Sequence, residues 1–279
     1  MISNELIKLQ PKSIFTVRSD SETLHIHSDS QVVTGLLNDF DPISLDEMDG
    51  VKMMRRFDSK YVMNIEILNR LLKAVQGDYC VLEVSGKRIQ SYHTVYYDTP
   101  DNRFYLSHHN GLGNRIKLRK REYTDSGLVF LEIKLRNNKG EIRKKRMLVR
   151  DLDEGLSDEQ RTFIQKHSTL NGDKLEAKFI SRFKRITLVS KKLDERCTID
   201  MDLHFHSFSG EKSDLKNLIV AELKQRDQKM KSKLARVLKE NRVYKQSFSK
   251  YCIGRAMNEN DLKSNLFKPE LQQIKNKFQ

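Results

Sequence analysis

In the stretch NRIKLRKREY (114–123) a cation occupies every second position: Arg115, Lys117, Arg119 and Arg121, with Ile116, Leu118, Lys120 and Glu122 between them. Side chains of an extended chain alternate between two faces, so those four cations share one. Like charges crowded on one strand face are unfavourable unless negative charge lies opposite. The pattern recurs. MRRFDSKYVM (54–63) alternates Arg56, Asp58 and Lys60, and ERCTIDMD (195–202) alternates Arg196, Thr198, Asp200 and Asp202. VFLEIKLR (129–136) and IVAELKQR (219–226) echo each other: Glu132, Lys134 and Arg136, or Glu222, Lys224 and Arg226, share a face. Their other faces carry Leu131, Ile133 and Leu135, or Ile219, Ala221 and Leu223.

Two architectures fit such strands. For any single strand, an open sheet with its apolar face inward and its charged face in water suffices. Repeated over five or six strands, that arrangement makes one continuous field of cations. The alternative is a closed antiparallel barrel with a polar lumen and helices over its apolar outside. Interior cations need counter-charge, and the inward carboxylates expected here (Asp58, Glu132, Asp200, Asp202, Glu222) are fewer than the inward Lys and Arg. The whole chain has the same bias, with 52 Lys and Arg against 38 Asp and Glu and a net charge of +14. The expected occupant is a compact polyanion. Arginine forks pair with phosphate oxygens, and the leftover carboxylates suit a hard divalent cation bridging protein and phosphate.

The connections support an antiparallel α+β fold. Asn64 reads as the N-cap of a helix through IEILNRLLKAVQ, with Gly77 beyond its end, and Ser157 with Gln160 forms a capping box. Two more helices are expected near 230–240 and 247–257. Residues 1–45 read as an N-terminal arm or appendage, 46–260 as one domain, and 261–279 as a basic C-terminal tail. The cysteines Cys80, Cys197 and Cys252 have no metal or disulfide spacing, the N-terminus has no apolar leader core, and no run is long enough to span a bilayer. A soluble cytoplasmic chain is expected. The histidine pairs His25/His27, His108/His109 and His204/His206 lack a third ligand and read as ordinary polar positions. The basic run NNKGEIRKKR (137–146) reads as a solvated face or the mouth of the lumen.

The motifs RRFDSKYVM, YYDTPDNRFY, KLRKREY, FLEIKLRNNKG, RFKRITL, RCTIDMDL, VAELKQ and SFSKYCIGRA, in this order over about residues 52–258, resemble the polyphosphate polymerase (VTC) domain of the triphosphate tunnel metalloenzymes. The resemblance implies a closed eight-stranded antiparallel β-barrel with surrounding and capping helices. It implies transfer of the γ-phosphoryl of ATP to a growing inorganic polyphosphate chain, with Mn²⁺ or Mg²⁺. Carried over position by position, the catalytic cations are Lys60, Arg119, Arg121, Lys134, Arg185, Arg196 and Lys250. Glu222 holds the metal, helped by Asp200 or Asp202, and Arg56, Arg115, Lys117, Lys224 and Ser249 contact substrate. The sequence carries no SPX domain and is similar to the stand-alone bacterial type. Its Arg-x-Asp-x-Lys first strand differs from the Glu-x-Glu-x-Lys of the hydrolytic CYTH branch, which favours polymerase over triphosphatase. Tripolyphosphate or nucleotide hydrolysis and non-catalytic polyanion binding stay open as alternatives. ATP and polyphosphate are the expected partners and nucleic acid is not. Oligomeric state, and whether a membrane protein receives the product, are left open.

Overall fold

A computed structural model describes residues 31–49, 57–152, 155–227 and 229–278. The expected substrate contact Arg56 lies outside them. In chain order come helical residues 31–38 (α1), β1 (Asp41–Ile43), α2 (Leu45–Asp49), β2 (Phe57–Met63), α3 (Ile65–Val75), β3 (Tyr79–Leu82) and β4 (Gln90–Asp98). Then follow α4 (Arg103–His109), β5 (Arg115–Tyr123), β6 (Leu128–Arg136), β7 (Ile142–Val149), α5 (Asp158–His167), β8 (Glu176–Ser190) and β9 (Glu195–Ser207). The chain continues through β10 (Lys212–Leu215), β11 (Ile219–Gln225), α6 (Lys233–Glu240), α7 (Lys250–Asn258) and α8 (Lys268–Phe278).

Eight strands form one antiparallel path, β2-β11-β9-β8-β4-β5-β6-β7. β1 runs parallel to β3, which pairs with β8, and β10 pairs with β9. Among the described residues the hydrogen-bonded path ends at β2 and β7. The closed barrel expected from sequence is therefore not what the pairing gives: this is a large curved sheet with two edges.

Its apolar face is covered as the alternation requires. Tyr61, Met63, Ile186, Leu188, Cys197, Ile199, Ala221 and Leu223 pack under α3, α6 and residues 31–38. Asn64 caps α3 by accepting from the Ile67 N–H, and its apolar stripe Leu68, Leu71, Leu72 and Val75 is fully buried. Farther round, Val95, Tyr97, Leu118, Leu131 and Ile133 pack with Phe104 and with Ile164 of α5. The Ser157/Gln160 capping box sets the start of α5.

The third cluster lies on the charged side of the sheet. Tyr92, Tyr96, Phe179, Phe183 and Phe205 pack against Tyr251, Cys252 and Ile253 of α7, which fills one end of the concavity. Gly254 allows that approach, because a Cβ there would stand 2.1 Å from the Phe179 ring. Two boundaries differ from the sequence reading. Residues 268–278, expected as a basic tail, form α8 and bury Ile274 and Phe278 in this cluster. Val33, Leu37 and Phe40, assigned to an arm, belong to the core under α3. In both segments widely spaced apolar residues find partners only in three dimensions.

Candidate active site

Register carries the charged positions onto one concave face. Lys60 on the β2 edge faces Glu222, which faces Thr198, and one step along Asp200 faces Arg185. On the other half Thr94 faces Arg121, Tyr96 faces Arg119, and Arg119 faces Glu132. Lys117, Lys134 and Lys144 stand abreast on β5, β6 and β7. The sheet curls enough for its distant parts to interact. Burial, then Lys60 and Lys134, lowers Lys117 to about 8, although β2 and β5 are five steps apart along the path. His108 of α4 is lowered to about 3 by burial, then by Lys117, Lys60 and Arg136.

The inner carboxylates are committed to cations. Asp200 accepts from Arg185 Nε at 2.5 Å and Nη2 at 2.8 Å, and it also meets the Lys250 ammonium. Glu132 pairs with Arg119 at 2.5 Å and Lys144 at 2.7 Å. Glu222 lies 3.2 Å from Lys224. Burial alone would raise all three carboxyl pKa values. The cations outweigh it and hold each well below the usual carboxylate range.

Aromatic rings support the arginines. Tyr92 and Phe183 stack at 5.1 Å, with the Arg121 and Arg185 guanidiniums 5.0–5.6 Å from their ring centroids. Lys250 Nζ stands 4.5 Å from the Phe183 centroid. Arg121 also donates to Thr94 Oγ1 at 3.2 Å. Tyr96 is lowered to about 8: burial would raise it, and Arg119, Arg121, Lys250 and Lys117 together overcome that.

The segment before α7 delivers Lys250 by running along β2. Lys60 Nζ donates to the Phe248 carbonyl at 2.6 Å, and the Gln246 N–H donates to the Lys60 carbonyl at 2.9 Å. Ser249 is the N-cap of α7, its hydroxyl accepting from the Cys252 N–H, so that oxygen is engaged in the helix start. Deeper in, Asp98 is fully buried and accepts from the Phe104 and Tyr105 N–H groups and from the Tyr251 hydroxyl, which ties α7 to the end of β4. Lys224 faces Arg196 and Asp58 at one end of the concavity, and Arg115 faces Arg136 at the β5–β6 end.

One inward assignment fails. Asp202 has φ 55°, beside an irregularity in the β8–β9 register, and its carboxylate turns outward to Lys184 and His204, each at 3.0 Å. Strict alternation misplaces every residue beyond such a bulge. Alternation does hold for Lys144, which sequence reasoning passed over as part of a surface run. It also holds for Tyr92, Thr94 and Tyr96, passed over because tyrosine reads as core. His108 gave no periodic signal.

Among the described residues no three His, Cys, Asp or Glu side chains converge on a metal-sized site. Asp200 and Glu132 are each engaged by two cations, whereas Glu222 meets only Lys224, at the longer distance of 3.2 Å. This donor set does not fit an all-protein cage. It fits a hard divalent ion that arrives on phosphate oxygens and takes one carboxylate from the protein.

Among solved structures, an adenylyl cyclase-like protein from Hippeastrum, described as having a dominant triphosphatase activity, is 13% identical. That match covers 73% of this chain and 96% of the other, at TM-score 0.45. A proposed adenylate cyclase from Bacillus halodurans (12% identity, 69% and 92% covered, TM-score 0.43) and the PH1819 protein from Pyrococcus horikoshii (14%, 72% and 98%, 0.40) are alike at a similar level. At these scores the likeness decides nothing about the chemistry here. A search of curated proteins finds no match. No helix among the described residues is long and apolar enough to cross a membrane. The profile of the VTC domain matches residues 55–258, most of the sequence and the whole of the charged concavity, and on that ground the chain belongs to the VTC domain family.

Proposed function

We propose that this protein is a polyphosphate polymerase that transfers the γ-phosphoryl group of ATP to the end of an inorganic polyphosphate chain. The observation that carries this reading is the concave face itself. Cations from seven strands and a capping helix converge there, more numerous than the carboxylates that orient them. Such a surface binds a phosphate chain along its length. The wall would be completed by the β2 and β7 edges, making the closed tunnel that the motifs imply.

Phosphoryl transfer needs positioning and charge neutralisation more than covalent chemistry. Arg119, Arg121 and Arg185 are already oriented by Glu132, Thr94 and Asp200, so little reorganisation is needed to meet the equatorial oxygens. With Arg196 they neutralise charge as it develops. Lys60, Lys134 and Lys250 orient the β- and γ-phosphates and the acceptor end, and Lys117, Lys224 and Arg115 extend the contact along the chain. A divalent ion, Mn²⁺ or Mg²⁺, would be held by Glu222 and would supply further neutralisation of the triphosphate. An acceptor phosphate is already anionic, so no protein nucleophile is required. The test is to incubate purified protein with ATP and Mn²⁺ and resolve products by chain length. ADP with long chains is expected. Orthophosphate without chains would replace this reading with hydrolysis, and no turnover would leave a binding module.

A further inference from the structure

At the rim of the concavity, where α4 meets the ends of β5, β6 and β7, a groove of about 370 Å³ opens. Arg103, Arg115, Arg136 and Arg143 all line it. Its one carboxylate, Glu141, accepts from Asn137 Nδ2 at 2.8 Å, while the Glu141 N–H donates to Asn137 Oδ1 at 2.9 Å in the β6–β7 turn. Among the described residues none of the four guanidiniums forms an ion pair with a carboxylate. Arg115 and Arg136 are directly opposed across β5 and β6, and the next pair inward on that face is Lys117 opposite Lys134. Like charges directly opposite cost stability. These two pairs lead along the concave face to the strand ends, and Arg143, opposite Leu135, meets them there from the other face of the sheet, so the groove wraps the strand ends.

We propose that this groove is a second phosphate-binding site, which holds the part of a polyphosphate chain lying beyond the concavity. The inference rests on the reading of the concavity as the site for the triphosphate end. The ligand chemistry follows from the donors. Four planar guanidiniums match closely spaced, non-bridging phosphate oxygens in pairs. The only aromatic residue in the lining, Phe104, is buried in the core, so the groove has no platform on which nucleic-acid bases would stack. A bare phosphate chain satisfies the site and a base-bearing one does not. Short ligands end before reaching the groove, so it responds to chain length.

Binding without ATP tests this, using tripolyphosphate and, separately, a chain of several tens of phosphates. The variant is Arg103→Ala with Arg143→Ala, both exposed positions at the groove. Its charge-matched control is Lys139→Ala with Lys145→Ala, exposed cations of the same hairpin outside the groove. The groove variant should lose about tenfold or more in affinity for the long chain. Its tripolyphosphate affinity should stay within about twofold of wild type, and the control should lose much less long-chain affinity. Unchanged long-chain affinity in the groove variant, or an equal loss in the control, would overturn the proposal. So would single-stranded DNA competing as well as polyphosphate does. If wild-type protein fails to bind tripolyphosphate while the groove variant still loses the long chain, the reading of the concavity fails and the groove stands.

Discussion

Tyr96 shows how strongly the concavity acts on a single residue. Its phenol is buried, which should raise its pKa, yet the surrounding cations bring it to about 8. An alkaline absorbance titration should therefore reveal one phenol ionising near that value, missing in Tyr96→Phe. Bound tripolyphosphate neutralises the same cations and should move that ionisation upward. A titration unaffected by tripolyphosphate would separate Tyr96 from the binding surface. Glu222, opposite Lys60, has a different part in the proposed reaction, as the carboxylate that would hold the metal. Glu222→Gln keeps its shape and removes its charge, so ATP-dependent chain synthesis should fall by about a hundredfold or more. That variant also loses the stabilising charge that holds its folded pKa down, so its thermal midpoint should fall and synthesis is compared per folded protein; synthesis at the wild-type rate would remove Glu222 from the mechanism.

Among the elements, α7 has the most consequence, because it brings Lys250 to Asp200 and its own packing leaves no slack. A methyl group at Gly254 would overlap the Phe179 ring and stand 3.0 Å from the Phe205 ring. Gly254→Ala should destabilise the fold by about 1–3 kcal/mol, as overpacking of a tight core does. Displacing α7 also moves Lys250, so activity should fall more steeply than the loss of folded protein accounts for. The measurement is a urea titration beside the specific activity of the folded fraction. The helices were legible in sequence where capping was local: Asn64 and Ser157 announced α3 and α5 directly. No sequence signal marked α4, whose N-cap Asn102 is in the left-handed region and makes no side-chain cap bond. Its start is fixed instead by Asp98, four residues before Asn102.

For the molecule as a whole, the crowded cations are a standing electrostatic cost that a bound polyanion relieves. Tripolyphosphate at millimolar concentration should raise the thermal midpoint by several degrees, through preferential binding to the folded state. Sodium chloride at equal ionic strength should not reproduce the shift, and a shift fully reproduced by salt would make it simple screening. Acid should act through the inner carboxylates. Asp200, Glu132 and Glu222 have folded pKa values below their unfolded values near 4. Their contribution is present above about pH 5 and is lost as pH falls through the unfolded range toward the folded values. Urea midpoints should therefore be flat from about pH 7 to 5 and decline below about pH 4, less steeply in Asp200→Asn.

The sequence by itself determined that one face of each long strand is charged and the other apolar, because that follows from period-two alternation and needs no partner. It also determined the capped helices, because an N-cap acts within one turn. Tertiary structure decided the rest. The bulge at Asp202 turned a carboxylate outward, since an added residue reverses the alternation beyond it. Curvature brought Lys60 within electrostatic reach of Lys117, and long-range packing made core from residues 31–40 and 268–278. The gathering of separately alternating strands into one surface with the charge density to hold a phosphate chain depends on register and curl, which are properties of the whole sheet.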